Sequence, residues 1–264
     1  MNHTRTALIT GASSGIGREL TRLFAGDGYN LVLVARSQQG LLELADELKA
    51  RYGVAVKVIA KDLSQASAPG EIFTELQQEA ITIDILVNNA GFATYGLFPK
   101  IDLNTELQEM QVNMVALTHL TKLFLPGMLE QQWGKILNMS STAAFQPGPL
   151  MAVYYATKAY VLSFSEALAE ELRGTGVSVT VLCPGATASG FQSRAKMEDS
   201  RLVSGRKLMN AAMVARAGYR GLMRNKTVVV PGLVSRMYIL VVRLVPRSIV
   251  TRSVKNMQER VREK

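Results

Sequence analysis

The chain has 264 residues, 48% of them hydrophobic, and a formal net charge of +9 at neutral pH. This length and composition fit one α/β domain with a large core, and they exclude a disordered chain. The single cysteine, Cys183, excludes an internal disulfide and a cysteine-cluster zinc site, and we expect it to be buried at a strand end. His3 and His119 have no partners at ligand spacing, so no metal is expected.

Short aliphatic runs alternate with segments of helical period along the chain. The runs predict seven strands, at 6–10, 31–35, 54–60, 83–87, 135–139, 177–182 and 227–230. Helical period between them, for example at 41–52 and 155–173, completes the alternation. We therefore expect a Rossmann-like, doubly wound parallel sheet in a single α/β domain at 1–235, followed by a basic helical extension at 236–264.

Three segments carry expectations of their own. The first strand begins at residue 6 with no leader before it, so a cytoplasmic setting is the expectation. The segment 104–132 predicts one long helix that is disturbed at Pro126-Gly127. The segment 187–209 is polar and mixed, and we expect it to cover the ligand crevice.

Residues 10–17 read Thr-Gly-Ala-Ser-Ser-Gly-Ile-Gly and lie between the first strand and the first helix. Glycines allow a sharp turn and close approach to a pyrophosphate, while the helix N-terminus adds free N–H groups and a favourable dipole. The spacing differs from the usual Gly-x-Gly-x-x-Gly pattern, and the alternative is an ordinary glycine-rich turn. In this position the loop predicts a dinucleotide phosphate site formed by Gly11, Ser13, Ser14, Gly15, Ile16 and Gly17.

The end of the second strand selects between the two nicotinamide cofactors in such a fold. An acidic residue there binds a free ribose 2′-hydroxyl, whereas an arginine suits a 2′-phosphate. The chain has Ala35-Arg36-Ser37, with no carboxylate to repel a phosphate. Arg36 therefore predicts a preference for NADP(H); the alternative is an ordinary surface arginine.

Tyr154 and Lys158 are four residues apart on a predicted helix, so their side chains share one face. Free tyrosine has a pKa of about 10, and a neighbouring ammonium, like an oxidised nicotinamide, favours the phenolate. Such a tyrosine can donate its proton to a carbonyl oxygen as hydride reaches the carbon. Tyr155 is three residues from Lys158, and spacing alone leaves both tyrosines open for this role.

Spaced motifs between residues 10 and 189 carry a family resemblance. They are the 10–17 loop, Asp62, Asn88-Asn89-Ala90-Gly91, Asn113, Ser140-Ser141, Tyr154-x-x-x-Lys158 and Pro184-Gly185. In this order they make the chain resemble the short-chain dehydrogenases/reductases. The resemblance implies a nicotinamide-dependent oxidoreductase, and no member of that family's four-residue active set is missing.

The resemblance assigns the catalytic residues. It makes Tyr154, rather than Tyr155, the acid/base, and the family's serine, thirteen positions earlier, is then Ser141. By resemblance, Ser141 holds the substrate oxygen, Lys158 binds the nicotinamide ribose and lowers the tyrosine pKa, and Asn113 supports a water chain to Lys158. From the sequence alone, Asn113 would be a polar residue between helices and Ser141 a cap.

The resemblance also extends the cofactor site, which Tyr154 and Lys158 complete. The residues it adds are Asp62 at the adenine ring, with Leu63 also in the cofactor site, Asn89, Ala90 and Gly91 at the adenosine side, Pro184 and Gly185 over the nicotinamide, and Thr187 at the carboxamide or pyrophosphate. Ser189 stands where the family often has a threonine. For Pro184-Gly185 the alternative is a plain strand-ending turn.

Seven mostly apolar side chains flank the catalytic segments and are candidates for a substrate pocket: Phe92, Thr94, Phe145, Pro147, Met151, Phe191 and Met197. The alternative for each is that it packs the core. An apolar pocket favours a small apolar ketone, aldehyde or secondary alcohol as the substrate of the NADP(H)-dependent reaction. Two alternatives stay open: a 3-oxoacyl-thioester reductase, and a regulator that binds NADP(H) without turnover.

Basic residues concentrate at the C-terminus, where 236–264 carries eight Lys/Arg and two Glu. This localisation argues against a nucleic-acid binder. Three hypotheses remain: an amphipathic helix at a membrane surface, a dock for an acidic protein such as an acyl carrier protein, or a segment packed on the fold or a sister subunit. The apolar run 237–242 is too short to span a bilayer. Because the family commonly forms dimers or tetramers, the packed segment and a homodimer or homotetramer are favoured.

Overall fold

A computed structural model describes residues 4–201, 203–205 and 208–260. Its strands are β1 (Thr6–Thr10), β2 (Asn30–Ala35), β3 (Val56–Ala60), β4 (Ile85–Asn88), β5 (Gly134–Met139), β6 (Val177–Leu182), β7 (Thr187–Ala188), β8 (Met209–Asn210) and β9 (Val228–Val229). Seven of them form one parallel sheet in the order β3-β2-β1-β4-β5-β6-β9, and β7 pairs with β8. The order reverses between β1 and β4, so the sheet is doubly wound as predicted and has a crevice at the carboxyl ends of its strands.

Helices cover both faces of the main sheet. They are α1 (Gly15–Gly26), α2 (Gln38–Tyr52), α3 (Ala68–Gln78), α4 (Leu103–Met110), α5 (Leu117–Glu130), α6 (Ala152–Glu171), α7 (Phe191–Arg194), α8 (Ala211–Met223), α9 (Leu233–Leu244) and α10 (Arg247–Gln258). Buried side chains of α1, α2 and α8 form the core on one face. Those of α3 and α5 belong to the core on the other face, against which Leu168 and Ala169 of α6 pack.

The three middle residues of the central strand β1, Ala7, Leu8 and Ile9, are all apolar. All five of its residues are buried. Ala7 and Ile9 pack into the core on the α1 side, whereas Leu8 packs into the core on the α3 side. Because successive side chains of a strand point to opposite faces, a strand covered on both sides needs apolar residues at every position.

One continuous helix joins α4 to α5 through a π-helical turn at Gln111–Ala116. The disturbance predicted at Pro126-Gly127 is therefore wrong in place, because Pro126 lies inside α5. The irregular turn instead contains Asn113, whose side-chain amide donates hydrogen bonds to the carbonyl oxygen of Phe92 and the hydroxyl of Thr157. A π turn of this kind is frequently found at functional sites.

By length and composition alone, the helix Leu103–Glu130 could cross a membrane. Its residues Ala116, Leu120 and Phe124 nevertheless pack into the buried core on the α3 side of the sheet. In this fold it is a core helix.

Two predicted segments differ from the observed structure. The strand predicted at 54–60 begins at Val56, and the side chain of Asn30 accepts the N–H of Ala55 just before it. The segment 187–209, predicted without strand character, opens with β7 and closes with β8; residues 202, 206 and 207 lie outside the described residues. The bounds of β2, β4, β5 and β9 also differ from prediction by one or two residues.

The C-terminal segment forms α9 and α10. The domain boundary expected between 235 and 236 lies inside α9, and 261–264 lie outside the described residues. Val250 and Val254 of α10 are buried in a cluster with Tyr154 and Tyr155. The extension is thus partly packed on the fold, beside the end of the crevice.

Candidate active site

The glycine loop lies between β1 and α1, at the edge where the parallel strands end. Gly11 and Gly15 have φ values of +66° and +55°, in the left-handed region that favours glycine. A Cβ on Gly17 would lie 2.3 Å from the carbonyl oxygen of Gly11, so this glycine lets α1 close on the loop. The loop residues that line a large cavity are Gly11, Ser13, Ser14, Gly15 and Ile16.

Thr10 and Asn89 hold this loop to the neighbouring strand. The hydroxyl of Thr10 accepts hydrogen bonds from the backbone N–H groups of Asn89 and Ala90, each over 3.0 Å. The side-chain amide of Asn89 donates to the carbonyl oxygens of Thr10 and Gly11, over 2.9 and 3.3 Å. Sequence reasoning gave Thr10 no role, because this contact exists only once β4 lies beside β1.

The cavity has a volume of about 1570 Å³ and extends from the end of β2 to Lys158. Arg36, which is exposed, and Leu63, which is buried, line the end of the cavity near β2. Asp62, in the connection from β3 to α3, lines the cavity as well. Asp62 accepts the N–H of Ser64 over 3.0 Å, which fixes that turn. Asn89, Ala90 and Gly91 line its middle. A long cavity with a glycine loop on one wall fits a dinucleotide.

The far wall of the cavity follows β6. Pro184, Gly185 and Thr187 line it. The hydroxyl of Thr187 donates to the carbonyl oxygen of Gly185 over 2.9 Å, so the turn is closed on itself. A Cβ on Gly15 would lie 3.1 Å from the Cβ of Ser189, so the loop and this wall approach closely.

Arg194 adds a cation that sequence reasoning missed. From α7 its guanidinium donates to the hydroxyl of Ser14 over 3.1 Å, and it lines the cavity. A guanidinium at a glycine loop suits a phosphate group. The two residues are 180 positions apart, so no local pattern pointed to the pair. The segment 187–209 thus reaches over the crevice, as predicted.

Tyr154 and Lys158 extend from α6 into the same cavity as the glycine loop. Their side chains are 9% and 4% exposed, and the Lys158 Nζ lies 5.7 Å from the centre of the Tyr154 ring. The Nζ donates to the carbonyl oxygen of Met139, at the end of β5, over 2.9 Å. The predicted pair is therefore brought together and shielded from solvent.

Burial governs the protonation of both side chains. It raises the pKa of Tyr154 above its usual range, and the neighbouring hydroxyl of Ser141 opposes that rise. Burial also lowers the pKa of Lys158 to about 8, against the opposing charge of Glu109. The spacing predicts that Lys158 favours the phenolate form of Tyr154. Desolvation of the buried Tyr154 hydroxyl has the larger effect, and it favours the neutral form. Tyr154 therefore keeps its proton at neutral pH.

The two adjacent serines have different surroundings. The hydroxyl of Ser140 is buried and donates to the carbonyl oxygen of Lys158 over 2.8 Å, so it supports α6. The hydroxyl of Ser141 accepts the N–H of Ala143 over 3.1 Å and caps a short 3₁₀ turn. Of the two serines, only Ser141 lowers the pKa of Tyr154, which favours Ser141 over Ser140 as the residue beside the reacting oxygen.

Asn113 connects three parts of the site. Its amide donates to the carbonyl oxygen of Phe92 over 2.9 Å and to the hydroxyl of Thr157 over 3.1 Å. A Cβ on Gly91 would lie 2.9 Å from the Asn113 Oδ1 and 3.5 Å from the Lys158 Nζ. Asn113 is thus a polar residue between helices and also lies close to Lys158. The water chain to Lys158 stays a prediction.

Glu109 is a buried carboxyl group that sequence reasoning missed. Its Oε2 accepts the N–H and the hydroxyl of Thr94, each over 2.8 Å. Its Oε1 has no hydrogen-bond partner among the described residues. Burial raises its pKa to about 7. Glu109 lies four residues before Asn113, on the same side of the helix, and this spacing was the available signal.

Five of the seven predicted pocket side chains line the cavity: Phe92, Thr94, Met151, Phe191 and Met197. The prediction is wrong for Phe145 and Pro147, which are not among the lining residues. Phe145 packs instead against the cluster around Val161, with the guanidinium of Arg243 5.6 Å from its ring centre. Helices α9 and α10 supply lining residues that were not predicted, including Tyr238, Val254 and Gln258.

Comparison with known proteins assigns this arrangement to a family. Residues 5–199 match the family model described as short chain dehydrogenase. The chain therefore belongs to the short-chain dehydrogenase/reductase family, whose members use a nicotinamide nucleotide cofactor. The matched region contains the glycine loop and all four residues expected to be catalytic.

Two curated relatives show the range of similarity. A short chain dehydrogenase of Pseudocercospora fijiensis is 39% identical over 189 residues, which is 70% of this chain and 60% of the relative. A very-long-chain 3-oxoacyl-CoA reductase of Rattus norvegicus is 37% identical over 183 residues, 67% of this chain and 58% of the relative. The matched part of the chain thus spans less than two thirds of the length of these relatives.

Solved structures match over most of the chain. A short-chain dehydrogenase from Sphingobium yanoikuyae in complex with NADPH is 35% identical, with TM-score 0.82 and coverage of 89% of this chain and 92% of its own. A bulky-bulky ketone specific alcohol dehydrogenase from Comamonas testosteroni is 32% identical, with TM-score 0.78 and 91% coverage of both chains. A short chain dehydrogenase/reductase from Burkholderia phymatum in complex with NAD is 26% identical, with TM-score 0.80 and 98% coverage of both.

Proposed function

We propose that the protein is an NADP(H)-dependent oxidoreductase that interconverts an apolar ketone or aldehyde and the corresponding alcohol. The observation that carries this proposal is that Tyr154 and Lys158 open into the same cavity as the glycine loop. A bound nicotinamide cofactor supplies or accepts the hydride, while the chain's own residues bind, orient and handle the proton.

The proton step follows from the surroundings of Tyr154. Its raised pKa keeps the proton on the hydroxyl until a carbonyl oxygen gains negative charge and takes it. The hydroxyl of Ser141 is beside it and can donate a hydrogen bond to the same oxygen. Lys158, whose pKa burial lowers to about 8, can return a proton toward Tyr154 near neutral pH. Asn113 holds the neighbouring backbone in place.

The lining of the cavity favours an apolar substrate. Phe92, Met151, Phe191 and Met197 face it, and the ring of Phe191 lies 5.3 Å from that of Tyr154. An apolar wall beside the proton donor excludes water from the reacting atoms and binds hydrocarbon groups. The similarity to an alcohol dehydrogenase specific for bulky-bulky ketones supports a substrate with large groups on both sides of the carbonyl.

The preference for NADP(H) rests on Arg36. It lines the cavity directly after β2, where a ribose 2′-phosphate would lie, and Ser37 follows it. The NADPH complex of the Sphingobium relative supports this choice, while the NAD complex of the Burkholderia relative is the alternative.

A 3-oxoacyl-thioester reductase is the second candidate. The similarity to a very-long-chain 3-oxoacyl-CoA reductase favours it, and so do the exposed arginines of α9 and α10, which could bind the phosphates of an acyl carrier. It predicts strong activity on acyl thioesters that depends on those arginines.

NADPH oxidation across a panel of ketones, aldehydes and 3-oxoacyl thioesters tests these proposals. Turnover that Tyr154→Phe abolishes while NADPH binding is kept identifies an oxidoreductase. Tight NADPH binding with no turnover of any panel member would instead identify a regulator, against which the complete set Asn113, Ser141, Tyr154 and Lys158 already argues.

We also propose that the protein is a homodimer or homotetramer. Leu103, Leu107 and Val115, on the long helix that carries Asn113, are 66%, 51% and 48% exposed. Apolar side chains at this spacing on one helix suit contact with a second copy. Light scattering of the wild type and of Leu107→Glu measures the oligomer number and tests this face.

A further inference from the structure

Helix α9 presents an apolar face to solvent. Six of its side chains are more than half exposed: Leu233 (76%), Val234 (84%), Met237 (64%), Leu240 (57%), Val241 (54%) and Leu244 (87%). They recur at intervals of three and four residues, so they lie on one side of the helix. Ile239, on the opposite side, is 6% exposed and anchors α9 to the fold. We call these six residues the α9 face.

The α9 face lies in a strongly basic segment of the chain. The segment 233–260 carries six basic residues, Arg236, Arg243, Arg247, Arg252, Lys255 and Arg260, against one acidic residue, Glu259. All six basic side chains are exposed, and Arg260 is paired with Asp199. By helical geometry Arg236 and Arg243 lie at the edge of the α9 face, between it and the buried side. Long cationic side chains at such an edge can reach phosphate groups while their stems lie along hydrocarbon.

The α9 face also meets the mouth of the cavity. Leu233 and Val234 belong to the face and line the cavity at the same time. Tyr238, one turn further along α9, lines it as well. The apolar surface outside is thus continuous with the substrate end of the cavity.

We propose that the α9 face docks on an anionic lipid surface, with the neighbouring side chains of Arg236 and Arg243 at the headgroups and the cavity mouth against the membrane. Apolar side chains and flanking cations on one helix are the features that bind a helix in the plane of a bilayer interface. A second copy of the chain fits this face less well, because a symmetric contact brings two sets of arginines together. The further statement that apolar substrate enters from the lipid rests on the proposed function.

Cosedimentation with vesicles tests the docking without any turnover. The wild type is expected to bind vesicles of equimolar phosphatidylglycerol and phosphatidylcholine, and to bind pure phosphatidylcholine more weakly. Leu244→Glu should reduce the partition coefficient at least about tenfold, because a charged side chain replaces a leucine that is buried in hydrocarbon. Leu42→Glu is the matched control, because Leu42 is an exposed leucine of α2 (48%) that lies on another helix.

The charge contribution has its own variant. Arg243→Gln should weaken binding to the anionic vesicles about fivefold and leave binding to pure phosphatidylcholine unchanged. Circular dichroism and NADPH affinity serve as folding controls for each variant, since neither Arg243 nor Leu244 lines the cavity.

Three results would overturn the docking. They are a wild type that ignores anionic vesicles, an equal loss in Leu42→Glu, and a wild-type dimer in lipid-free solution that Leu244→Glu converts to monomer, which would assign the α9 face to a second copy. A chain that binds vesicles but reduces no carbonyl contradicts the proposed function alone. A chain that turns over but does not bind vesicles contradicts the docking alone.

Discussion

Gln258, in the last turn of α10, donates a hydrogen bond from its side-chain amide to the hydroxyl of Tyr155 over 2.7 Å. The carbonyl oxygen of Gln258 in turn accepts a hydrogen bond from the hydroxyl of Tyr95. Helix α10 thus supplies a hydrogen-bond partner for the hydroxyl of Tyr155, whereas the hydroxyl of Tyr154 lies beside Ser141. This difference in partners supports Tyr154 as the proton donor and gives Tyr155 a structural role.

We therefore expect Tyr155→Phe to retain most of the rate. kcat/KM should stay within about tenfold of wild type, whereas the free energy of unfolding should fall by about 1 to 2 kcal/mol because the buried Gln258 amide loses its acceptor. Steady-state kinetics and urea unfolding measure the two effects. A loss of rate as deep as that in Tyr154→Phe would mean that the choice between the tyrosines is wrong.

Arg36→Asp should shift the cofactor preference toward NAD(H). Loss of a charge-assisted contact to the 2′-phosphate, with a like charge in its place, is expected to lower kcat/KM for NADPH about 10- to 100-fold relative to that for NADH. Arg51→Asp is the control, because Arg51 is an exposed arginine of α2 that does not line the cavity. Unchanged NADPH affinity in Arg36→Asp would contradict the assignment.

Glu109 should make stability depend on pH. Burial raises its pKa to about 7 in the folded chain, from the ordinary value of 4.5. The folded state therefore holds the proton more tightly than the unfolded state, and stability is complete below the unfolded pKa and falls as pH rises toward 7. Relative to Glu109→Gln, the wild type should lose about 2 to 3 kcal/mol of unfolding free energy between pH 4.5 and 8.

Urea unfolding of the wild type and of Glu109→Gln across this pH range measures the difference. The glutamine keeps an acceptor for Thr94 and removes the charge, so the gap between the two curves isolates ionisation of Glu109. Parallel curves would show that Glu109 ionises in the fold as readily as in the unfolded chain.

Gly17→Ala should damage the glycine loop. The added Cβ would lie 2.3 Å from a backbone oxygen, that of Gly11, which has no freedom to move without distorting the loop. A destabilisation of about 1 to 3 kcal/mol and a weaker affinity for NADPH are expected. Gly70→Ala is the control, because a Cβ there meets nothing within 4 Å. Equal behaviour of the two variants would contradict the role given to Gly17.

The sheet and the motif residues could be predicted because they depend on local sequence. Aliphatic runs marked the strands, and glycine spacing after β1 marked the loop. The i, i+4 spacing of Tyr154 and Lys158 placed both side chains in one cavity. In each case the signal lies within a few residues of the feature it predicts.

Other parts of the site depend on contacts between distant segments. Glu109 and Gln258 are 0% and 1% exposed, although both residue types are usually found on the surface, so no local pattern predicts their burial. The contact of Arg194 with Ser14 likewise depends on how the 187–209 segment folds back. The proline rule, which considers the backbone alone, predicts the helix irregularity at Pro126, whereas the π turn lies at Asn113.

The measurement that most directly tests the central claim compares Tyr154→Phe with the wild type for NADPH binding and for turnover of the best ketone or aldehyde substrate. Removal of a general acid is expected to lower kcat about 100- to 10,000-fold, with the dissociation constant of NADPH within a few-fold of wild type. Turnover within tenfold of wild type in Tyr154→Phe would contradict the account.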